Sequence, residues 1–298
     1  MTYSIVARDS ATGALGVAVQ TCAFAVGTIA PWARAGVGVV ATQAFAEPAY
    51  GPRCLEALEA GASATDALDA ARVADDSSFL RQVGVVSSDG SVAAWTGEAC
   101  IDHAGHLTGD AFTVQANMMA TPEVWAAMAE AFQVSVESFS RRLLAALDAG
   151  QSAGGDARGM MSAALLVVDG QRSDAWMRPL VDLRVDRADD PLRELRRLVD
   201  ASEAFGHSYR ATMALWRGDG LDDALRDVDH ALAALPGEPN LRFVRAGVLL
   251  ALGDIERGGE ELRSLVAAKP TWDTIVRSFA ATGRLNLPEP YSIDALLD

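Results

Sequence analysis

Residues 2–21 read TYSIVARDSATGALGVAVQT, and this stretch decides the architecture. Tyr3 to Arg8 is rich in β-branched and aromatic residues, and Ala14 to Thr21 repeats that character. Asp9-Ser10-Ala11-Thr12-Gly13 between them is turn chemistry, so the pair predicts an antiparallel hairpin. A second hairpin is predicted where 83–87 and 92–95 flank Ser88-Asp89-Gly90, with glycine where tight turns favour it. Gly36 to Gln43 reads as a further buried strand, after a loop holding Pro31 and Trp32. Leu55, Leu58 and Leu68 mark an apolar stripe on two helices near 50–60 and 64–73. A loop over 97–110 leads to a strand at 111–115. Thr121-Pro122-Glu123 then opens a helix with Thr121 as its N-cap, and a second helix covers about 137–149. A glycine-rich link, Gly150 to Gly159, precedes strands at 162–168 and near 180–186. Strand pairs thus alternate with helix pairs, and stacked sheets with helices outside bury such a set.

After Pro191 the chain is predicted to be helical throughout. Pro236 and Pro270 stand 34 residues apart, as do Asp219 and Gly253, Ala224 and Gly258, and Val228 and Leu262. That spacing is the tetratricopeptide period. Two units close a core poorly, so flanking helices near 193–206 and 271–283 are expected to complete it. The fold class read from the chain is α+β: stacked sheets with helices outside over 1–190, then an all-α, tetratricopeptide-like domain over 191–298. Leu241, Val244, Val248 and Leu249 give one helix of the second repeat a broad apolar face, which predicts a homo-oligomer.

Of 298 residues, half are apolar and 22% are charged, which excludes wholesale disorder. A net charge of -15 argues against nucleic acid and anionic membranes as partners. No apolar run is long enough to span a bilayer, and residues 1–10 carry no secretory signal, so a cytoplasmic protein is expected. Cys22, Cys54 and Cys100 are too few and too scattered for a disulfide framework. The Gly150–Gly159 run lacks the spacing of a phosphate loop and has no lysine, so no nucleotide cofactor is expected. Cys100, His103 and His106 form C-x2-H-x2-H without a fourth ligand beyond Asp102, and no metal site is expected.

Thr2 is the most informative residue for chemistry. Loss of Met1 would leave its α-amine free beside its own hydroxyl. An α-amine titrates near roughly 7.7–8.0, so one residue would supply both nucleophile and base.

Several blocks carry a resemblance: residues 2–21, VGTIAPWARAGVGVVATQA, PAYGP, CIDHAGH, TVQANMMATPEV and AGGDARG with SAALLVV after it. Over roughly residues 2–190 they resemble the Ntn-hydrolase-like family known as domain of unknown function 1028. The resemblance implies the Ntn-hydrolase superfamily, an αββα sandwich, and a C-terminal helical extension described as peptidoglycan-binding. The chain departs from the family pattern at Met160 and Met161, which replace a basic residue and a glutamine, and at Cys22, Glu47 and Ala116.

In such a fold the strands flanking the first one bring Gln20, Thr21, Thr42 and Gln43 toward Thr2. Backbone N–H groups near Gln43 and Ala44, and the Asn117 side chain, are expected to form an oxyanion hole. Thr2, Asn117 and Gln43 are therefore the catalytic candidates. Gln20, Thr21, Thr42, Arg34, His106 and Gln115 are the substrate-binding candidates. The expected activity is hydrolysis of an amide or related C–N bond in a small molecule or peptide. The alternative is a catalytically silent Ntn-like scaffold whose helical domain binds a partner or a cell-wall glycan.

Overall fold

A computed structural model describes residues 2–172, 179–285, 287 and 290–297. The chain divides into two compact units, 1–199 and 200–298.

The first unit runs β1 (Thr2–Arg8), β2 (Leu15–Thr21), β3 (Pro31–Arg34), β4 (Gly38–Ala44), α1 (Tyr50–Glu59), α2 (Ala64–Val73), β5 (Arg81–Ser87) and β6 (Val92–Thr96). It continues through β7 (Gly105–Gly109), β8 (Phe112–Asn117), α3 (Val124–Val134), α4 (Phe139–Ser152), β9 (Ser162–Val168) and β10 (Val181–Val185). One sheet has the order β10-β9-β2-β1-β8-β7 and the other β3-β4-β5-β6, and every pairing is antiparallel.

The first hairpin turns as the sequence demands. Asp9 Oδ2 accepts from Thr12 N at 3.0 Å and Thr12 Oγ1 at 2.7 Å, and Gly13 takes a φ of 77° that glycine adopts without strain. Alternation then gives each strand two faces. Tyr3, Ile5 and Ala7 pack with Phe112, Val114, Leu143 and Leu147 under α3 and α4. Val40, Val83 and Val85 pack with Tyr50, Leu55 and Leu68 under α1 and α2. Between the sheets lie Val6, Leu15, Val17, Val39, Ala41, Val86 and Val168. These three cores separate four layers, helix–sheet–sheet–helix.

The inter-sheet layer changes character along its length. Toward the start of β1 its inward positions become Thr2, Ser4, Thr21, Gln43, Gln82, Gln115 and Asn117, all buried. Gly84 makes room for this polar end. A Cβ there would lie 2.4 Å from Gln115 Oε1, well inside contact distance. Gly84→Ala is expected to cost about 1–3 kcal/mol through overpacking. The urea midpoint measures it, and an unchanged midpoint would mean that Gln115 has another place to go.

Two strands differ from the sequence reading. β3 and β7 occupy segments read as loops, around Pro31 and over 97–110. Both are edge strands, where proline and glycine are tolerated. Thr121 is not the cap of α3: the helix starts at Val124, and Thr121 Oγ1 donates instead to the Ala153 carbonyl at 2.6 Å.

The second unit holds the end of α5 (Pro191–Arg217), then α6 (Leu221–Ala234), α7 (Pro239–Ala251), α8 (Ile255–Ala268), α9 (Thr271–Ala281) and α10 (Ile293–Leu297). The matched positions Ala224, Val228 and Leu262 are buried in it, as is Gly258. Leu241, Val248 and Leu249 are buried within the single chain, so their apolar face needs no second copy to cover it. No helix among the described residues is long and apolar enough to cross a membrane.

Candidate active site

Thr2 begins β1, the strand between β2 and β8, and pairs with Thr21 on one side and Asn117 on the other. It is only 6% exposed. Its hydroxyl donates to Thr21 Oγ1 at 3.1 Å. Its carbonyl oxygen accepts from Gln43 Nε2 at 3.0 Å and from Asn117 Nδ2 at 3.2 Å. Residues from three strands and both sheets therefore converge on one threonine.

A second tier holds those amides in place. Gln82 Oε1 accepts from Gln43 Nε2 at 2.7 Å and from Asn117 Nδ2 at 2.8 Å. Gln82 Nε2 donates to Thr96 Oγ1 and to the carbonyls of Gly105 and Ala116. Ser4 Oγ donates to Gln43 Oε1 at 2.6 Å and accepts from Gln115 Nε2 at 2.6 Å. These bonds fix which end of each amide is nitrogen, because each orientation is set by its neighbours. A buried network is stable only when its members are satisfied, and this one is densely paired.

Backbone strain frames the same end of the sandwich. Ala44 just past Gln43 has φ 69°, and Met118 just past Asn117 has φ 56°. Non-glycine residues in this region are uncommon and concentrate at functional sites. Arg81 props the β4 end: its Nη1 donates to the Phe45 carbonyl at 2.6 Å, and its Nε pairs with Asp75 Oδ2 at 2.9 Å. Hydrogen bonding from Arg81 is the largest influence on the Asp75 carboxyl and, despite burial, holds it below the usual carboxylate range. A depressed folded pKa gives stability that is present above the unfolded value and lost as pH falls through the folded one. Asp75→Asn is accordingly expected to lower stability near neutral pH and to weaken its dependence on pH below about 4. Urea midpoints from pH 2 to 7 test this, and parallel curves for both proteins would refute it.

The sequence-expected residues divide sharply. Thr2, Thr21, Gln43 and Asn117 meet. Gln115 joins the network one pair deeper. Gln20 does not: it stands opposite Tyr3, on the face turned to α3 and α4, and its buried amide has no partner among the described residues. Thr42 likewise faces away, donating to the Glu47 carbonyl. Arg34 lies at the far end of β4, opposite Gly38, where it pairs with Glu59 at the surface. His106 sits on edge strand β7, with β8 between it and β1, and its Nδ1 meets Thr96 Oγ1 at 2.8 Å. Burial pushes its pKa below the ordinary histidine value.

The oxyanion expectation changes as well. The Asn117 Nδ2, expected as a donor, is already engaged by the Thr2 carbonyl and Gln82 Oε1, and the Gln43 side-chain amide likewise holds the Thr2 carbonyl. Cys100, His103 and His106 turn to separate carbonyl or hydroxyl partners, and no group of three metal-ligating side chains occurs among the described residues. Burial pushes the Cys54 thiol up to about 12 and raises that of Cys100, which suppresses both thiolates. Gln82 is the residue that sequence reasoning missed: the predicted strand began one position later, at Val83.

Comparison with known proteins adds three findings. The model of the "Family of unknown function (DUF1028)" matches residues 2–195. The crystal structure of protein SPO2555 from Silicibacter pomeroyi, which carries the same family model, is similar at 35% identity with a TM-score of 0.61. The match covers 66% of this chain and 84% of that one. No curated protein matches.

Proposed function

The chain belongs to the DUF1028 family, and on that premise we propose that it is a hydrolase of an amide or related C–N bond with Thr2 as nucleophile and base. The supporting observation is the convergence of Thr21, Gln43 and Asn117 on Thr2 at the start of a central strand. Met1 lies outside the described residues, and the reading requires its removal.

The chemistry follows from the residue types. Thr2 Oγ1 attacks the carbonyl carbon of the substrate, and its proton passes to the α-amine. The tetrahedral adduct collapses, the C–N bond breaks, and that proton leaves on the departing nitrogen. Water then cleaves the acyl ester, with the same amine taking and returning a proton. Amide and water become acid and amine, and the threonine is regenerated. Fixing the Thr2 carbonyl from both sheets preorganises the hydroxyl for attack, since small displacements of a nucleophile are costly. The free cysteines support a reducing compartment, and a cytoplasmic location is part of this proposal.

One observation favours a second reading. Gln43 and Asn117 keep their N–H groups for the protein itself, as expected of a silent scaffold. Intact mass and an amide screen separate the two. Loss of Met1 together with hydrolysis that Thr2→Ala abolishes supports the enzyme. Retained Met1, or no hydrolysis anywhere in the screen, supports the scaffold, while turnover indifferent to Thr2 would place the chemistry elsewhere.

A further inference from the structure

The Asp156 side chain has no exposed surface, yet it is a carboxylate in the glycine-rich link between α4 and β9. Its Oδ2 accepts from Cys22 N at 3.1 Å and Arg158 Nη2 at 3.0 Å, and its Oδ1 from Arg158 N at 2.9 Å and Arg158 Nε at 3.2 Å. Burying a charge costs several kcal/mol unless it is paired, so a fold gains little by keeping one merely to join two loops.

Its location gives it a task. Asp9 N donates to the Ala14 carbonyl, which sets the parity of the β1–β2 ladder. By that parity Tyr3, Ile5 and Ala7 direct their backbone groups toward β2, where they meet Gln20, Ala18 and Gly16. The next position in this series is Cys22, immediately past the end of β2, and the same parity turns its N–H toward the line of β1 just ahead of Thr2. That N–H is the one bound to Asp156. From the other flank, Asp156 bridges to Met119, and Ala157 N donates to the Met118 carbonyl, just beyond Asn117 of β8. Asp156 thus closes the end of β1 between its two neighbours.

From this placement we propose that Asp156, with Arg158 as its counter-charge, anchors the freed α-amine of Thr2 and sets its basicity. The inference rests on the reading of Thr2 as nucleophile and base. A lone buried carboxylate would hold the amine as ammonium, which is useless as a base. The Arg158 guanidinium cancels much of that charge, leaving an acceptor that orients the amine without trapping its proton. Asp156 is in this sense a positioning residue. Other titratable groups border the same end. They are Cys22 just past β2, His103 bonded to the Met119 carbonyl, Arg81 on the opposite sheet with its partner Asp75, and Asp148 and Asp190, which act with Asp156 on the Tyr3 phenol.

The test titrates the amine itself rather than activity. Full-length protein whose Met1 loss is confirmed by intact mass is acylated by acetic anhydride over a range of pH, and the N-terminal peptide is quantified by mass spectrometry. Asp156→Asn is expected to lower the apparent pKa of the amine by about one unit, and Arg158→Gln to raise it by about as much. His103→Gln, which removes a neighbour without touching the pair, is expected to leave it in place. Opposite shifts in the first two variants are a signature that mere loosening of the loop does not produce. If Asp156→Asn fails to fold, the Arg158→Gln shift decides alone. Wild-type titration in folded variants, or shifts of the same sign, would overturn the anchor while leaving Thr2 as nucleophile untouched. Retained Met1 on the native protein sinks the nucleophile reading and the anchor with it.

Discussion

Thr2→Ala is expected to lower amide hydrolysis by about three to four orders of magnitude while the protein stays folded. The loss falls on kcat, because the substituted group acts on the bond being broken and not on the rest of the substrate. Stability changes little: the alanine forfeits one neutral hydrogen bond to Thr21, worth about 1 kcal/mol, and the Thr2 carbonyl remains clamped by Gln43 and Asn117. Thr2→Ser keeps a hydroxyl and is expected to retain part of the rate. An uncleaved residue ahead of Thr2 is expected to be as damaging as alanine, because a peptide nitrogen cannot accept a proton. The wild-type rate should rise with pH through the pKa of the amine and level off above it, since the base works only when neutral. Turnover of an amide panel, measured alongside intact mass, checks the rate statements, and a urea midpoint of the alanine variant checks its stability. Full activity in the alanine or the extended protein would remove Thr2 from the chemistry.

Why Thr2 was visible in the sequence while its supporters were not is a matter of strand geometry. A threonine opening a β-branched run is a local feature and needs no partner to be noticed. Thr21 and Gln43 followed from their position at the ends of predicted strands. Their neighbours Gln20 and Thr42 were drawn in with them, yet adjacent residues on a strand must face opposite ways. Once Thr21 is paired with Thr2, Gln20 has to turn toward α4. Arg34 was among the substrate-binding candidates, but β3 carries it to the far end of β4. Asp156 lay in a segment whose glycines mark only a link, and its meaning depends on the β1–β2 ladder more than a hundred residues away in sequence. The alternation of strand pairs and helix pairs, by contrast, depends on local periodicity and turn residues. That is why the layered architecture was legible before edge strands β3 and β7.

Gln82→Leu is expected to be among the most destabilising single changes in the first unit, at about 3–5 kcal/mol. Gln82 is completely buried, and its amide makes five hydrogen bonds across both sheets. Leucine fits the volume but supplies neither donor nor acceptor. The change orphans one N–H each of Gln43 and Asn117, and the carbonyls of Gly105 and Ala116 lose a donor. Each buried group left unpaired costs about 1–3 kcal/mol, and part of that is recovered if water enters. Gln82→Glu separates charge from shape. It keeps an acceptor for Gln43 and Asn117 but turns three donated bonds into carboxylate–oxygen contacts, so ionisation is disfavoured and its carboxyl pKa should rise well above the ordinary value. A raised folded pKa means that this variant is most stable below the unfolded carboxyl value and loses stability as pH rises toward the folded one. Urea midpoints for both variants between pH 4 and 8 test the argument. The leucine variant should be weak at every pH, and the glutamate variant should approach wild type only in acid. A leucine variant as stable as wild type would mean that the amide cluster contributes nothing to holding the sheets together. The preorganisation of Thr2 would then have to come from β2 alone.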